Sequence, residues 1–315
     1  MERLTAGVIL LCCLITAIGN LASPAREQPS EERGFTDRMS FGRAGDLAEI
    51  EVVGGIMSRG STGASSTRIV QSLRQAAKEK VKGILLTVDS PGGSAAASQE
   101  VFEEVRRIKE TNHIPVVCSM GDIAASGGYY IAAAADEIVA NRATLTGSIG
   151  VIMYMFNAKG LLDKIGVVPE VIKTGPFKDI GSPYRSMTPP ERALLQSLIN
   201  NTYDQFLGDV AKGRKMTVEQ VKSLAGGQIY TGEQAKTLKL IDTLGSRTDA
   251  IRILGRRAGI KGDPKVKNYS RSNWSTWIDD IGLEGKAPQW PLTLADSLKT
   301  ITWQAKVPLV LYDQP

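Results

Sequence analysis

The chain has 315 residues, a formal net charge of +5, 42% apolar residues and 23% charged residues, an ordinary composition for a globular protein with a real core. Both charge signs are interspersed and no basic block is followed by aromatics, which gives nucleic-acid binding little support. Three cysteines, two of them adjacent (Cys12 and Cys13), offer no disulfide framework, and one histidine without ligand spacing offers no zinc site.

Leu4 to Ala22 is almost continuously apolar and about long enough to cross a bilayer. Two readings stand. The segment is an uncleaved anchor that places the rest of the chain outside the cytoplasm, or it is a signal peptide cut near Ala17-Ile18-Gly19 or Ala22. Residues 23–46 are rich in Pro, Ser, Glu, Arg and Gly without a period and read as a flexible linker.

Strand and helix patterns then alternate. Leu47 to Val53 reads as a strand ending at Gly54-Gly55. Thr67 to Lys80 has helical spacing through Ile69, Val70, Leu73 and Ala76. Ile84 to Val88 is a short apolar run suited to a strand buried on both faces, and it leads into Asp89-Ser90-Pro91-Gly92-Gly93-Ser94. Ser98 to Glu110 is a helix, Ile114 to Ser119 a strand, Gly128 to Ala135 a helix and Glu137 to Ala140 a brief strand. Alternation of this kind predicts an α/β unit with a largely parallel sheet, whose site lies in the loops at the strands' carboxyl ends.

Thr144 to Val151 is a turn followed by apolar sequence. Leu161 to Ile165 reads as a helix and Pro169 to Lys173 as a strand. A long helix starts near Pro190 with Thr188 as its cap and an apolar face through Leu194, Leu195, Leu198, Tyr203 and Phe206. Short helices follow at Thr217 to Ala225 and Gly232 to Leu238, with a last one at Asp249 to Ala258. The expected organisation is residues 1–22 as anchor or signal, 23–46 as linker, 47–260 as one catalytic domain and 261–315 as a C-terminal extension, polar at first and closing on the apolar Val307 to Tyr312.

One stretch carries chemistry. In Gly121-Asp122-Ile123-Ala124-Ala125-Ser126-Gly127-Gly128-Tyr129-Tyr130 a serine sits between a strand and a helix, where free N–H groups favour developing negative charge. The plain alternative is a tight packing turn. A serine nucleophile needs a base. His113 stands before the strand leading to Ser126, roughly 20 Å away at about 3.3 Å per residue, so a Ser-His pair within one chain is excluded. A Ser-Lys dyad is left, which needs a lysine that burial can render neutral. Lys178, after Gly175-Pro176-Phe177, fits best, with Lys173 as its rival. Lys159 and Lys164 look solvated. Gly93 N–H and Gly127 N–H suit an oxyanion, and Ser148 suits a group that orients the lysine amine. Each of these has a bland alternative as a turn residue or a surface lysine. No metal or organic cofactor is needed.

Four motifs occur in order: Asp89-Ser90-Pro91-Gly92-Gly93; Ala125 to Tyr130; Thr146-Gly147-Ser148-Ile149-Gly150-Val151; and Gly175-Pro176-Phe177-Lys178-Asp179 with Ser182-Pro183. They resemble the signal peptide peptidase A family in its short form, over about Leu47 to Ala258. The resemblance implies a Clp protease/crotonase-like fold and a membrane-bound serine peptidase that degrades cleaved signal peptides. It implies a ring of identical chains on the outer face of the membrane, in which neighbours complete the substrate groove. It also implies Ser126 as nucleophile, Lys178 as general base, Ser148 orienting that lysine, and Gly93 and Gly127 as the oxyanion hole. Phe177 stands where the family often has tyrosine or histidine. Two other readings of the same fold are a non-catalytic scaffold, opposed by the presence of both Ser126 and Lys178, and a crotonase-type acyl-CoA enzyme, which lacks a serine nucleophile at this turn.

Overall fold

Strand β1 (Leu47–Val53) is buried along nearly its whole length. Its one deeply buried charge, Glu49, accepts hydrogen bonds from Thr87 Oγ1 (2.7 Å) and Arg247 Nε (2.8 Å), as a buried carboxylate must. β1 lies parallel to β4 (Gly83–Ser90), whose Ile-Leu-Leu run fills both sides of the sheet. β4 in turn lies parallel to β5 (Val116–Ala125). This is a computed structural model, and it describes residues 46–59 and 63–270. The apolar segment Leu4 to Ala22, almost all of the linker, the tryptophans Trp274 and Trp277, and Val307 to Tyr312 lie outside the described residues.

β5 is the spine of the site. Its first half pairs with β6 (Glu137–Ala140) and its last three residues with β7 (Leu145–Gly147), so one strand changes partner along its length. This is why the strand outruns the predicted Ile114 to Ser119: Ile123 to Ala125 finds a second partner in β7. The sheet continues through β6 to β9 (Thr243–Leu244) and, at the other edge, through β1 to β10 (Val266–Asn268). β10 carries the folded unit past residue 260. All these pairings are parallel. The exception is β8 (Ile229–Thr231), which runs antiparallel to β7. A small parallel pair, β2 (Ile56–Met57) with β3 (Ala64–Ser65), stands apart from the main sheet.

Helices cover both faces. On one side α1 (Ser66–Lys78), α2 (Ala95–Asn112) and α3 (Gly127–Ala132) pack into the main core with Ile84, Leu86, Val88, Val116 and Cys118. The alternate residues Leu85 and Val117 point the other way and meet Leu254 of α8 (Arg247–Arg257). α1 is capped by Ser65 and α2 by Ser94, each accepting from a backbone N–H in the first turn. α2 ends at His113, which is left-handed (φ 54°) and exposed.

Between β7 and the long helix the chain changes character. Residues 148–188 hold one short helix, α4 (Lys159–Ile165), and leave Ile152, Tyr154, Phe156, Val168 and Ile172 exposed. The predicted strand at Pro169 to Lys173 does not form; its apolar residues find no partner strand among the described residues and stand in water. α5 (Pro189–Arg214) starts at Thr188 with a capping box closed by Glu191. Its second half buries Phe206, Leu207, Val210 and Ala211, but its first half leaves Leu194 and Leu198 exposed. α6 (Val218–Leu224) and α7 (Gly232–Thr237) complete the domain, each capped by a threonine.

Candidate active site

Ser126 sits at the junction of β5 and α3, with φ 52° and ψ −119°. A non-glycine residue at positive φ costs free energy and persists only where its surroundings hold it. Here they do: Ser126 N–H donates to Gly147 O (2.8 Å), and Ser126 O accepts from Tyr130 N–H (2.9 Å). The serine side chain makes no cap hydrogen bond, so its hydroxyl is not spent on the helix.

Gly92 and Gly93 approach from the end of β4. Gly92 has φ 101°, and a Cβ there would lie 2.7 Å from Gly127 N and 2.8 Å from the Ser126 Cβ. A Cβ on Gly93 would lie 2.1 Å from Ile56 O. Only glycine admits this approach. Ser90 Oγ fixes the loop by donating to Gly54 O (2.7 Å) and accepting from Gly92 N–H (3.1 Å). A Cβ built on Gly127 would be 3.3 Å from Gly93 N, so the two glycines lie side by side. Among the described residues neither Gly93 N–H nor Gly127 N–H donates to a protein acceptor. Two free amides beside a free hydroxyl are the geometry that stabilises an oxyanion.

Ser126, Gly93 and Gly127 share one cavity of about 280 Å³. Its other walls are Ser94, Ala95, Tyr130, Gly150, Val151, Ile152, Thr202 and Phe206, so polar and apolar groups share it, with Val151, Ile152 and Phe206 as its apolar part. Tyr130 stacks on Phe206 with ring centroids 4.4 Å apart and tilts against Phe102 at 5.2 Å. The Tyr130 hydroxyl donates to Asp209 Oδ2 (2.6 Å), which ties α3 to α5, and burial with that carboxylate pushes the phenol far above its ordinary range. These walls escaped the sequence reading. Val151 and Ile152 lie beyond regular structure, and Phe206 looked like ordinary core.

Ser148 follows the residue that accepts the Ser126 N–H, and it too is at positive φ (50°), held by its own N–H to Gln228 O (2.7 Å). It lies next to the serine turn but does not line the cavity. Lys178 is not brought to the cavity either. It is exposed, in the loop where its N–H donates to Gly175 O (3.2 Å), and its side chain has no hydrogen-bond or ion-pair partner among the described residues. Lys173 differs: its Nζ donates to Asp179 Oδ1 (2.7 Å) and Pro176 O (3.2 Å). Lys159 pairs with Asp163 (2.6 Å). A base must shed its proton, and a carboxylate partner works against that. His113 and Ser126 flank opposite ends of β5, as the strand length requires.

Sequence comparison agrees with this architecture. The profile of peptidase family S49 matches residues 108–261, and the Clp protease profile matches residues 55–153. The candidate protease slr0021 of Synechocystis sp. is 44% identical over 252 residues, covering 75% of this chain and 88% of its own. This chain belongs to peptidase family S49. It is a serine peptidase with an α/β fold related to Clp protease. The chloroplastic serine protease SPPA of Arabidopsis thaliana is 36% identical, over 79% of the S49 chain and 36% of its own length. Protease 4 of Salmonella typhi is 38% identical, over 69% and 35% respectively, so the S49 chain spans about a third of these two relatives. Among solved structures, a mutant of the 1510-N membrane-bound stomatin-specific protease with a substrate peptide aligns over 75% of this chain and 96% of that one, at 17% identity and a TM-score of 0.49. Among the described residues no helix is long and apolar enough to cross a membrane, and no group of His, Cys, Asp and Glu could hold a metal.

Proposed function

We propose that this chain is a Ser-Lys endopeptidase of the signal peptide peptidase type, which cleaves apolar peptides such as released signal peptides at the membrane. The observation that carries this reading is that a strained Ser126, with no cap bond on its hydroxyl, shares one cavity with the adjacent, unpaired amides of Gly93 and Gly127 and with the apolar Val151, Ile152 and Phe206. Ser126 Oγ attacks the scissile carbonyl carbon and passes its proton to a neutral Lys178 Nζ. The carbonyl oxygen takes the negative charge and lies against the two amides. The tetrahedral species then collapses, the C–N bond breaks, and the lysine ammonium returns its proton to the leaving amine. Water, deprotonated by the same amine, opens the acyl-enzyme. Ser148 orients the lysine. The cavity walls would receive an apolar side chain beside the scissile bond, and on this reading the fold is also kin to crotonase.

Lys178 comes from a second copy of the chain. Two features support this. Lys178 stands in an exposed arm rich in unpartnered apolar residues, which calls for a protein surface to cover it. And α5 separates the two ends of the dyad: its first turn, at Glu191, holds the lysine loop through Arg185, while Thr202 and Phe206 wall the serine cavity. Eleven helical residues between Glu191 and Thr202 span about 17 Å at ~1.5 Å each. A ring of identical chains, each lending a lysine to the next, meets both demands. Leu4 to Ala22 would hold the assembly at the cell membrane with the catalytic domain on the extracytoplasmic side, or would be removed after export.

Peptide cleavage by the detergent-solubilised full-length protein tests this reading. Ser126→Ala and Lys178→Ala are expected to be inactive, Lys173→Ala active, and wild-type activity to rise with pH as the lysine becomes neutral. An inactive Lys173→Ala beside an active Lys178→Ala would overturn the choice of base, and a flat profile from mildly acidic to alkaline pH would remove the lysine altogether.

A further inference from the structure

The arm that carries Lys178 is tied down by one ionic cluster. Arg185 faces Asp179 with two parallel bonds, Nε to Oδ2 (2.8 Å) and Nη2 to Oδ1 (2.7 Å). The same guanidinium donates to both carboxylate oxygens of Glu191, from Nη1 (2.9 Å) and from Nη2, and to Ser186 O (3.1 Å). Glu191 is only 2% exposed and also accepts from Thr188 N–H (2.8 Å), the second half of the α5 capping box. Asp179 further holds Lys173. A guanidinium shared between two carboxylates in this fork geometry is directional in a way an ammonium is not. Both carboxyls are held below their ordinary range by these bonds, Glu191 down to about 2.

The placement of these groups is specific. Asp179 is the residue after Lys178, and Glu191 is fixed to a rigid 26-residue helix. Arg185 therefore clamps the lysine loop onto α5 across a stretch with little other backbone bonding. The cluster also decides which lysine is free: it engages Lys173 and saturates Asp179, the nearest carboxylate in sequence to Lys178.

We propose that Arg185 is a positioning residue for the catalytic lysine: it fixes the Lys178 loop to the first turn of α5 and keeps the Asp179 carboxylate away from the Lys178 amine. This rests on the reading of Lys178 as the base. Without Arg185 the loop loses its anchor, and Asp179 Oδ2, which Arg185 alone held, turns to the neighbouring amine while Oδ1 stays with Lys173. A carboxylate turned toward an amine favours the protonated form, so the rise of activity with pH moves to more alkaline values.

The test uses the full-length protein in detergent, with kcat, KM and the pH profile of kcat/KM for cleavage of an apolar peptide, and size exclusion to follow assembly. Arg185→Met is expected to lower kcat about ten- to a hundredfold with KM within about twofold, as for a displaced catalytic group, and to shift the rising limb to higher pH. Adding Asp179→Asn to Arg185→Met is expected to return the limb toward wild type while kcat stays low. Wild-type kcat and limb in Arg185→Met, or a reduced kcat with an unmoved limb, overturns the proposal. Should Arg185→Met fail to assemble, Arg185→Gln, which keeps a polar side chain in the cluster but neither the charge nor the fork, decides on the same two readouts. Lys178→Ala run in parallel separates the two ideas: if it is active the base assignment itself falls, whereas an inactive Lys178→Ala beside an unaffected Arg185→Met removes only the role of Arg185.

Discussion

Two regions of this peptidase are built on opposite principles. Around Ser126 the backbone does the work. Gly92, Gly93, Gly127 and Gly147 allow four chain segments to meet closer than any side chain would permit, and strand β5 delivers the serine into that meeting point. Around Lys178 the backbone contributes little. The arm from residue 150 to 188 has one short helix, keeps large apolar residues in water, and is secured by side-chain charges. An oxyanion site needs fixed dipoles with no reorganisation at the moment of reaction, which suits a close-packed interior. On the proposed reading, a lysine base delivered to another chain has to reach outward, which suits an arm.

The sharpest way to break the comparison is to mix its halves. Ser126→Ala and Lys178→Ala are each expected to lose roughly 10⁴-fold or more in kcat/KM. If the lysine arm serves a neighbour, assemblies formed from equal amounts of the two variants regain up to about a quarter of wild-type activity, the share of interfaces that pair an intact serine with an intact lysine in a random head-to-tail ring. No recovery on co-assembly would place both groups in one chain. Next is Gly93→Ala. Its Cβ would meet Ile56 O at 2.1 Å, so the loop and β2 must part, and the loss of one oxyanion donor is expected to cost roughly 10²–10³ in kcat; the same change in the arm, at Gly175, where a Cβ meets nothing within 4 Å, is expected to leave activity near wild type.

Smaller effects probe what ties the regions together. Tyr130→Phe removes the bond to the buried Asp209 and is expected to cost about 1–3 kcal/mol in urea unfolding. Acid should act on the arm first. Glu191 has a folded-state value lowered from about 4.5 to about 2, so its stabilising contribution is fully present above pH 4.5 and is lost as pH falls through about 2. Amide protection in residues 173–188, taken relative to the intrinsic exchange rate at each pH, is therefore expected to hold steady above that window and to fall within it. Equal loss of protection at residues 116–132 would remove the distinction between the two regions.

The first region was legible in the sequence and the second was not, for a physical reason. Leu47 to Val53, Glu137 to Ala140 and the cap at Thr188 follow local rules, namely apolar patterning and a hydroxyl before a helix, and the structure places each as read. The glycine pairs announced close approach because no other residue tolerates it. The arm misled: Val171 and Ile172 have strand propensity, but propensity forms no strand where no partner offers hydrogen bonds. Leu194 and Leu198 looked like a core face of α5, and they are exposed because nothing among the described residues covers them. Leu145 to Gly147 became a strand only because Ile123 to Ala125 and the distant Ile229 to Thr231 lie on either side of it. The Arg185 cluster joins residues six apart on each side in a loop, a spacing that follows no helical or strand period.

Helix α5 has a consequence for how sites in an assembly influence one another. It is bonded at Glu191 to the arm that carries Lys178, and at Asp209 to the short helix that follows Ser126. In the ring proposed above, that single rod would join the half of a site that a chain lends to the half it keeps. Every rod would then span two adjacent sites, and a peptide that shifts one serine helix would pull, through the rod, on the lysine serving the next. Communication from site to site would then need no separate device: it would follow from where one helix begins and ends.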